Sequence, residues 1–109
     1  MKFYISLPDP NAARGAKSQL SFSAHGAETF AEQLRHALSD PAYIQSWLAG
    51  LDEDDAANVD PQLLAIDSNA KVSGAQHDLS FSLVTDTRLN GAALNHRMRL
   101  LAGSQWQLR

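Results

Sequence analysis

Apolar and polar side chains alternate through Phe3, Tyr4, Ile5, Ser6 and Leu7, a period of two that predicts a half-buried strand over residues 2–7, ended by Pro8 and Pro10. The pattern lapses over residues 11–17, a small and polar stretch that reads as an exposed loop. It returns where Leu20, Phe22 and Ala24 alternate with Ser21 and Ser23, predicting a second strand that runs into His25 and Gly26. The period then changes. Phe30, Ala31, Leu34, Ala37 and Leu38 form one apolar stripe of an amphipathic helix, and Thr29 and Glu32 have capping-box spacing at its start. Asp40 and Pro41 restart the chain as a second helical segment, with Ile44, Trp47 and Leu48 on one face and Gly50 as its stop. Trp47 is expected to be the largest anchor of the core, and residues 26–50 the element around which the fold is organised.

Beyond Gly50 the run Asp52, Glu53, Asp54, Asp55 reads as a solvated connector. Asp60 and Pro61 repeat the helix-start dipeptide, so residues 62–66 are read as a turn of helix, although Leu63, Leu64 and Ile66 also allow a short strand. Residues 71–73 form a brief strand, residues 74–77 hold the turn, and Leu79, Phe81 and Leu83 alternate with Ser80 and Ser82 in the clearest strand of the chain. Residues 92–109 admit two readings. As a helix, residues 92–102 lack β-branched side chains, place Leu94, Met98 and Leu101 on one stripe and lie between Gly91 and Gly103, with a strand following at residues 105–109. As a hairpin, Met98 and Leu100 alternate with Arg97 and Arg99, and Gly103-Ser104 supplies the turn. The helix is the favoured reading.

Leu-Ser-Phe-Ser occurs twice, at residues 20–23 and 79–82, each copy followed by a loop and an amphipathic segment. The order this implies is strand, helix, short strand, strand, helix, strand. It is the order of a ferredoxin-like split β-α-β, an α+β two-layer sandwich, with the strand at residues 2–7 added at an edge. Both helices then cover one face of an antiparallel sheet. The hairpin reading instead gives a helix followed by a small Sm-like β-barrel.

Composition narrows the function classes. A chain of 109 residues with 44% hydrophobic and 19% charged side chains has the size and make-up of a single α+β domain over residues 1–109. A net charge of −3 gives no general attraction to nucleic acid or an anionic membrane. With no cysteine, disulfides, thiolate zinc sites and a thiol nucleophile are excluded, and the apolar run at the start is too short for a signal or a membrane span. A cytoplasmic location is the expectation.

No catalytic or cofactor motif is present, so neither an enzyme nor a cofactor is predicted. The acids at 52–55 lack the spacing of a calcium loop, and no metal is predicted there. None of His25, His36, His77 and His96 pairs at metal-ligand spacing; His25, at a strand end before a helix, is the most site-like. In the sandwich, Ser21, Ser23, Ser80 and Ser82 line the other sheet face, a small polar surface with few aromatics for stacking bases. That face, or an edge strand, is expected to join two copies in a noncatalytic, self-associating interaction domain, a homodimer. The alternative is a nucleic-acid-binding module using Arg97, Arg99 and Arg109. It requires the hairpin, because Arg97 and Arg99 stand about 200° apart on a helix and share a face only on a strand.

Overall fold

The computed structural model describes residues 1–10, 13, 15, 20, 26–78 and 80–108. Among these residues four strands, β1 (Lys2–Leu7), β2 (Lys71–His77), β3 (Ser80–Asp86) and β4 (Gln107–Leu108), make one antiparallel sheet in the order β2-β3-β1-β4. Helices α1 (Ala27–Ser39) and α4 (Gly91–Ala102) supply the second layer. Between α1 and β2 the chain makes an excursion through α2 (Pro41–Ala49), α3 (Glu53–Ala57) and a 3-10 turn at Pro61–Leu64. This is the α+β sandwich, with the strand order of a split β-α-β.

One detail of the expected arrangement changes. β1 is not an addition at the edge but an inner strand, paired with β3 along its whole length (Lys2↔Asp86 to Leu7↔Phe81) and with β4 at Ile5↔Leu108. Phe3, Ile5 and Leu7 face the helices, and two of them are fully buried. The predicted second strand over residues 20–24 and the loop over 11–17 fall largely outside the described residues; Leu20 is described and is buried.

The barrel reading is overturned, because residues 91–102 are helical. Asn90 accepts the amide of Ala93 at 3.0 Å, the stripe Leu94, Met98, Leu101 is buried, and Gly103, at a φ of 65°, ends the helix. α1 buries Ala27, Phe30, Ala31, Leu34, Ala37 and Leu38, and the Phe30 ring meets Phe81 of β3 at 6.1 Å. It begins two residues before Thr29, at Ala27, with Gly26 as N-cap and no side-chain cap, so the capping box is not formed; Glu32 instead pairs with Arg35 at 3.0 Å. Gly74 explains how closely α1 rides on β2, since a Cβ there would clash with the Ala27 carbonyl oxygen.

Further along, Asp40 caps α2 as expected, accepting from the Ala42 amide at 2.9 Å, and Asp60 caps the 3-10 turn through the amide of Gln62. The acidic connector is in fact helical over Glu53–Ala57. Asp52 accepts the Asp55 amide at its start, and acids in a first turn suit the positive end of a helix dipole. β2 runs on through residues 74–77, and the reversal falls at Asp78, whose φ of 55° an aspartate tolerates in a tight hairpin. Trp47 is only half-buried and lies outside the core; its ring meets His96 at 4.2 Å, and α2 sends just Ile44 fully inward. Leu108 is likewise exposed, because β4 is an edge of two residues.

The excursion returns through Asp67, whose amide donates to the Leu38 carbonyl at the end of α1. Its carboxylate, nearly fully buried, accepts from the Thr87 hydroxyl at 2.8 Å and from the amides of Arg88 and Asn69 at 3.0 Å. Burial works to raise the pKa of this acid, but those donors and the Arg88 charge hold it below the ordinary value.

Candidate interaction surfaces

Across the sheet, side chains of one parity face the helices and the rest face outward. The outward set combines Ser73 and Ala75 of β2, Ser80, Ser82 and Val84 of β3, and Tyr4 and Ser6 of β1. Ser80 and Ser82 therefore share this face as the sequence predicts, with Tyr4 half exposed near its middle. Ser21, Ser23, His25 and Arg109 lie outside the described residues.

The sheet has two edges. β4 offers two residues, whereas β2 is seven residues long and keeps an unbroken register with β3 from Lys71↔Asp86 to His77↔Ser80. Among the described residues no strand covers the outer side of β2. Natural edges are commonly blunted by proline, bulges, shortness or lysine. β2 has one lysine, at its first position, and its centre is Ser73-Gly74-Ala75.

The arginines separate. Arg97 is not on a surface at all: it is fully buried, the bulkiest of the completely enclosed side chains among the described residues. Its Nε donates to the Ala37 carbonyl at 2.9 Å, Nη1 to that of Leu63 at 2.7 Å and Nη2 to that of Ala65 at 2.6 Å. One guanidinium thus satisfies a carbonyl left open at the end of α1 and two around the 3-10 turn. Burial pulls its pKa down to about 10, leaving it charged at neutral pH, and no carboxylate among the described residues pairs with it. Tyr43, whose hydroxyl donates to the Leu20 carbonyl at 2.6 Å, is pushed up by burial and stays neutral. The sequence did hold a signal for Arg97: it falls within the stripe of Leu94, Met98 and Leu101, where a surface residue does not belong.

His96 completes this junction. Nη1 of Arg97 lies 3.0 Å from its Nδ1, and since a guanidinium only donates, Nδ1 accepts and the proton sits on Nε2. That Nε2 is buried without a hydrogen-bond partner. Burial first, and the neighbouring Arg97 charge second, pull the imidazole down to about 4, so it is neutral at pH 7. Arg99, in contrast, is exposed on the outer side of α4.

There a cleft of about 300 Å³ lies along α4, with Ala92, Asn95, His96 and Arg99 on its floor and Leu63 and Trp106 as walls. The Trp106 indole N–H donates to the Gly103 carbonyl at 2.8 Å, which fixes the ring. Nothing in the sequence pattern pointed to this cleft, because its walls come from residues 63 and 106, far apart in the chain. Among the described residues no group of acids and histidines converges as a metal site, and no helix is long and apolar enough to cross a membrane. Comparison with family models, curated proteins and solved structures gives no match.

Proposed function

We propose that this chain is a noncatalytic interaction domain of the cytoplasm that pairs with a second copy of itself through β2. The observation that carries the reading is the outer edge of β2, which no strand among the described residues pairs: seven regular residues with small side chains at their centre. Unpaired amides and carbonyls in a row are a template for another strand, and a two-fold axis satisfies both copies at once. With the axis beside Gly74, antiparallel pairing sets Ser73 against the partner's Ala75 and Lys71 against the partner's His77, joining two four-stranded sheets into one. No like charges oppose each other in that register. The cytoplasmic setting agrees with the absence of cysteine.

Sedimentation equilibrium at micromolar concentration tests the reading, with a dimer mass expected. A double substitution, Ser73→Lys with Ala75→Lys, sets like charges opposite one another and is expected to give a folded monomer. A monomeric parent chain, or a variant that still dimerises, overturns pairing through β2. The nucleic-acid alternative rested on a hairpin that does not form and on Arg97, which is enclosed.

A further inference from the structure

The cleft on α4 carries an inference independent of β2, which contributes no residue to it. Its floor residues Ala92, Asn95, His96 and Arg99 recur at i, i+3, i+4 and i+7, so they form one continuous face of the helix. The walls, Leu63 and the fixed Trp106 ring, are apolar. Donors dominate the polar groups. The Arg99 guanidinium and the Asn95 amide are engaged by no side-chain hydrogen bond or ion pair among the described residues. The imidazole beside them presents no free acceptor, because Nδ1 already takes a proton from Arg97. Among the described residues no acid lines the cleft, and the enclosed Arg97 charge lies beneath it with no carboxylate paired to it. An apolar slot over a floor rich in donors and positive charge is complementary to a ligand with an apolar body and one negative, acceptor-only end.

We propose that this cleft binds a small amphipathic carboxylate, its hydrocarbon or single aromatic ring held between Leu63 and Trp106 and its carboxylate on the Arg99 guanidinium and the Asn95 amide. The volume, at the lower end of the range of about 300–1,000 Å³ found for ligand pockets, limits the body to about one ring. Arginine suits this role because its planar fork matches both carboxylate oxygens.

The probe is 3-phenylpropionate, titrated into the full chain at millimolar concentration while amide and indole N–H chemical shifts are followed. Saturable shifts are expected at Asn95, Arg99 and the Trp106 indole. Arg99→Gln, an exposed substitution that leaves the fold intact, should weaken binding by about tenfold, as should replacing the probe by the uncharged 3-phenylpropanamide. Absence of saturable shifts overturns the proposal. So does equal binding of acid and amide, or a response confined to the separate apolar pocket between Leu20, Tyr43 and Leu101.

Discussion

A guanidinium surrounded by backbone carbonyls behaves differently from one in an ion pair. Arg97 meets Ala37, Leu63 and Ala65 through oxygens that no side-chain change removes, so deleting the arginine strands all three acceptors. Arg97→Met keeps much of the volume and none of the donors, and it should cost about 3–5 kcal/mol in urea denaturation. Its neighbour makes stability depend on pH. In the unfolded chain His96 titrates near its ordinary value of 6.5, and in the folded protein near 4. Between those values the unfolded state binds more protons, so stability falls as the pH drops from about 6.5 to about 4. Among the described residues the charged and titratable groups around that imidazole are Arg97 beneath it, Tyr43 beyond the guanidinium and Arg99 on the same helix face; none of these is an acid that would stabilise a protonated ring. His96→Gln, which retains an acceptor for Arg97, is expected to lose less stability between pH 7 and pH 5 than the parent chain when both are denatured in urea. An equal loss in the two proteins would assign the slope to other groups.

At the scale of elements, the end of α1 is a meeting point. The Arg35 carbonyl takes the Ser39 hydroxyl, that of His36 the Asp40 amide, that of Ala37 the Arg97 guanidinium and that of Leu38 the Asp67 amide. Its beginning is set by packing on β2 at Gly74. Gly74→Ala places a Cβ against the Ala27 carbonyl, and moving the first turn of α1 off the strand should cost about 1–3 kcal/mol, read as a lower thermal midpoint with faster amide exchange in that turn. The contrast between these two ends shows what a sequence discloses. α1, α2, α4 and the strands at β1 and β3 are legible because their periodicity and local caps act within a few residues, as Asp40, Asp60 and Asn90 do. The start of α1 differs from the sequence expectation because Thr29 and Glu32 satisfy a local rule that packing on β2 overrides. Trp47 lies outside the core against expectation because the face of a short helix shows which residues cluster, not whether the sheet lies beneath them. Arg97 and the cleft depend on contacts between residues 63, 97 and 106, which no local pattern contains.

For the whole molecule, the sheet order β2-β3-β1-β4 puts the long outer edge of β2 and the cleft in separate places, so self-association and ligand binding can be tested separately. The radius of gyration is 13.2 Å, close to the value of about 13 Å for a 100-residue domain. Pairing through β2 should raise it clearly in solution scattering, while addition of 3-phenylpropionate should leave it unchanged. The carbonyl cage around Arg97 also bears on how this chain can drift. An arginine held by a carboxylate ties two positions together, and a change at one selects for a change at the other. Here the acceptors belong to the main chain, which every residue carries. Position 65 is exposed and position 63 half-buried, so both are free to vary in chemistry while 97 is not. In a library of all single substitutions scored for folding, intolerance should therefore concentrate at Arg97 with broad tolerance at Ala65, and no second-site change at 63 or 65 should rescue its loss.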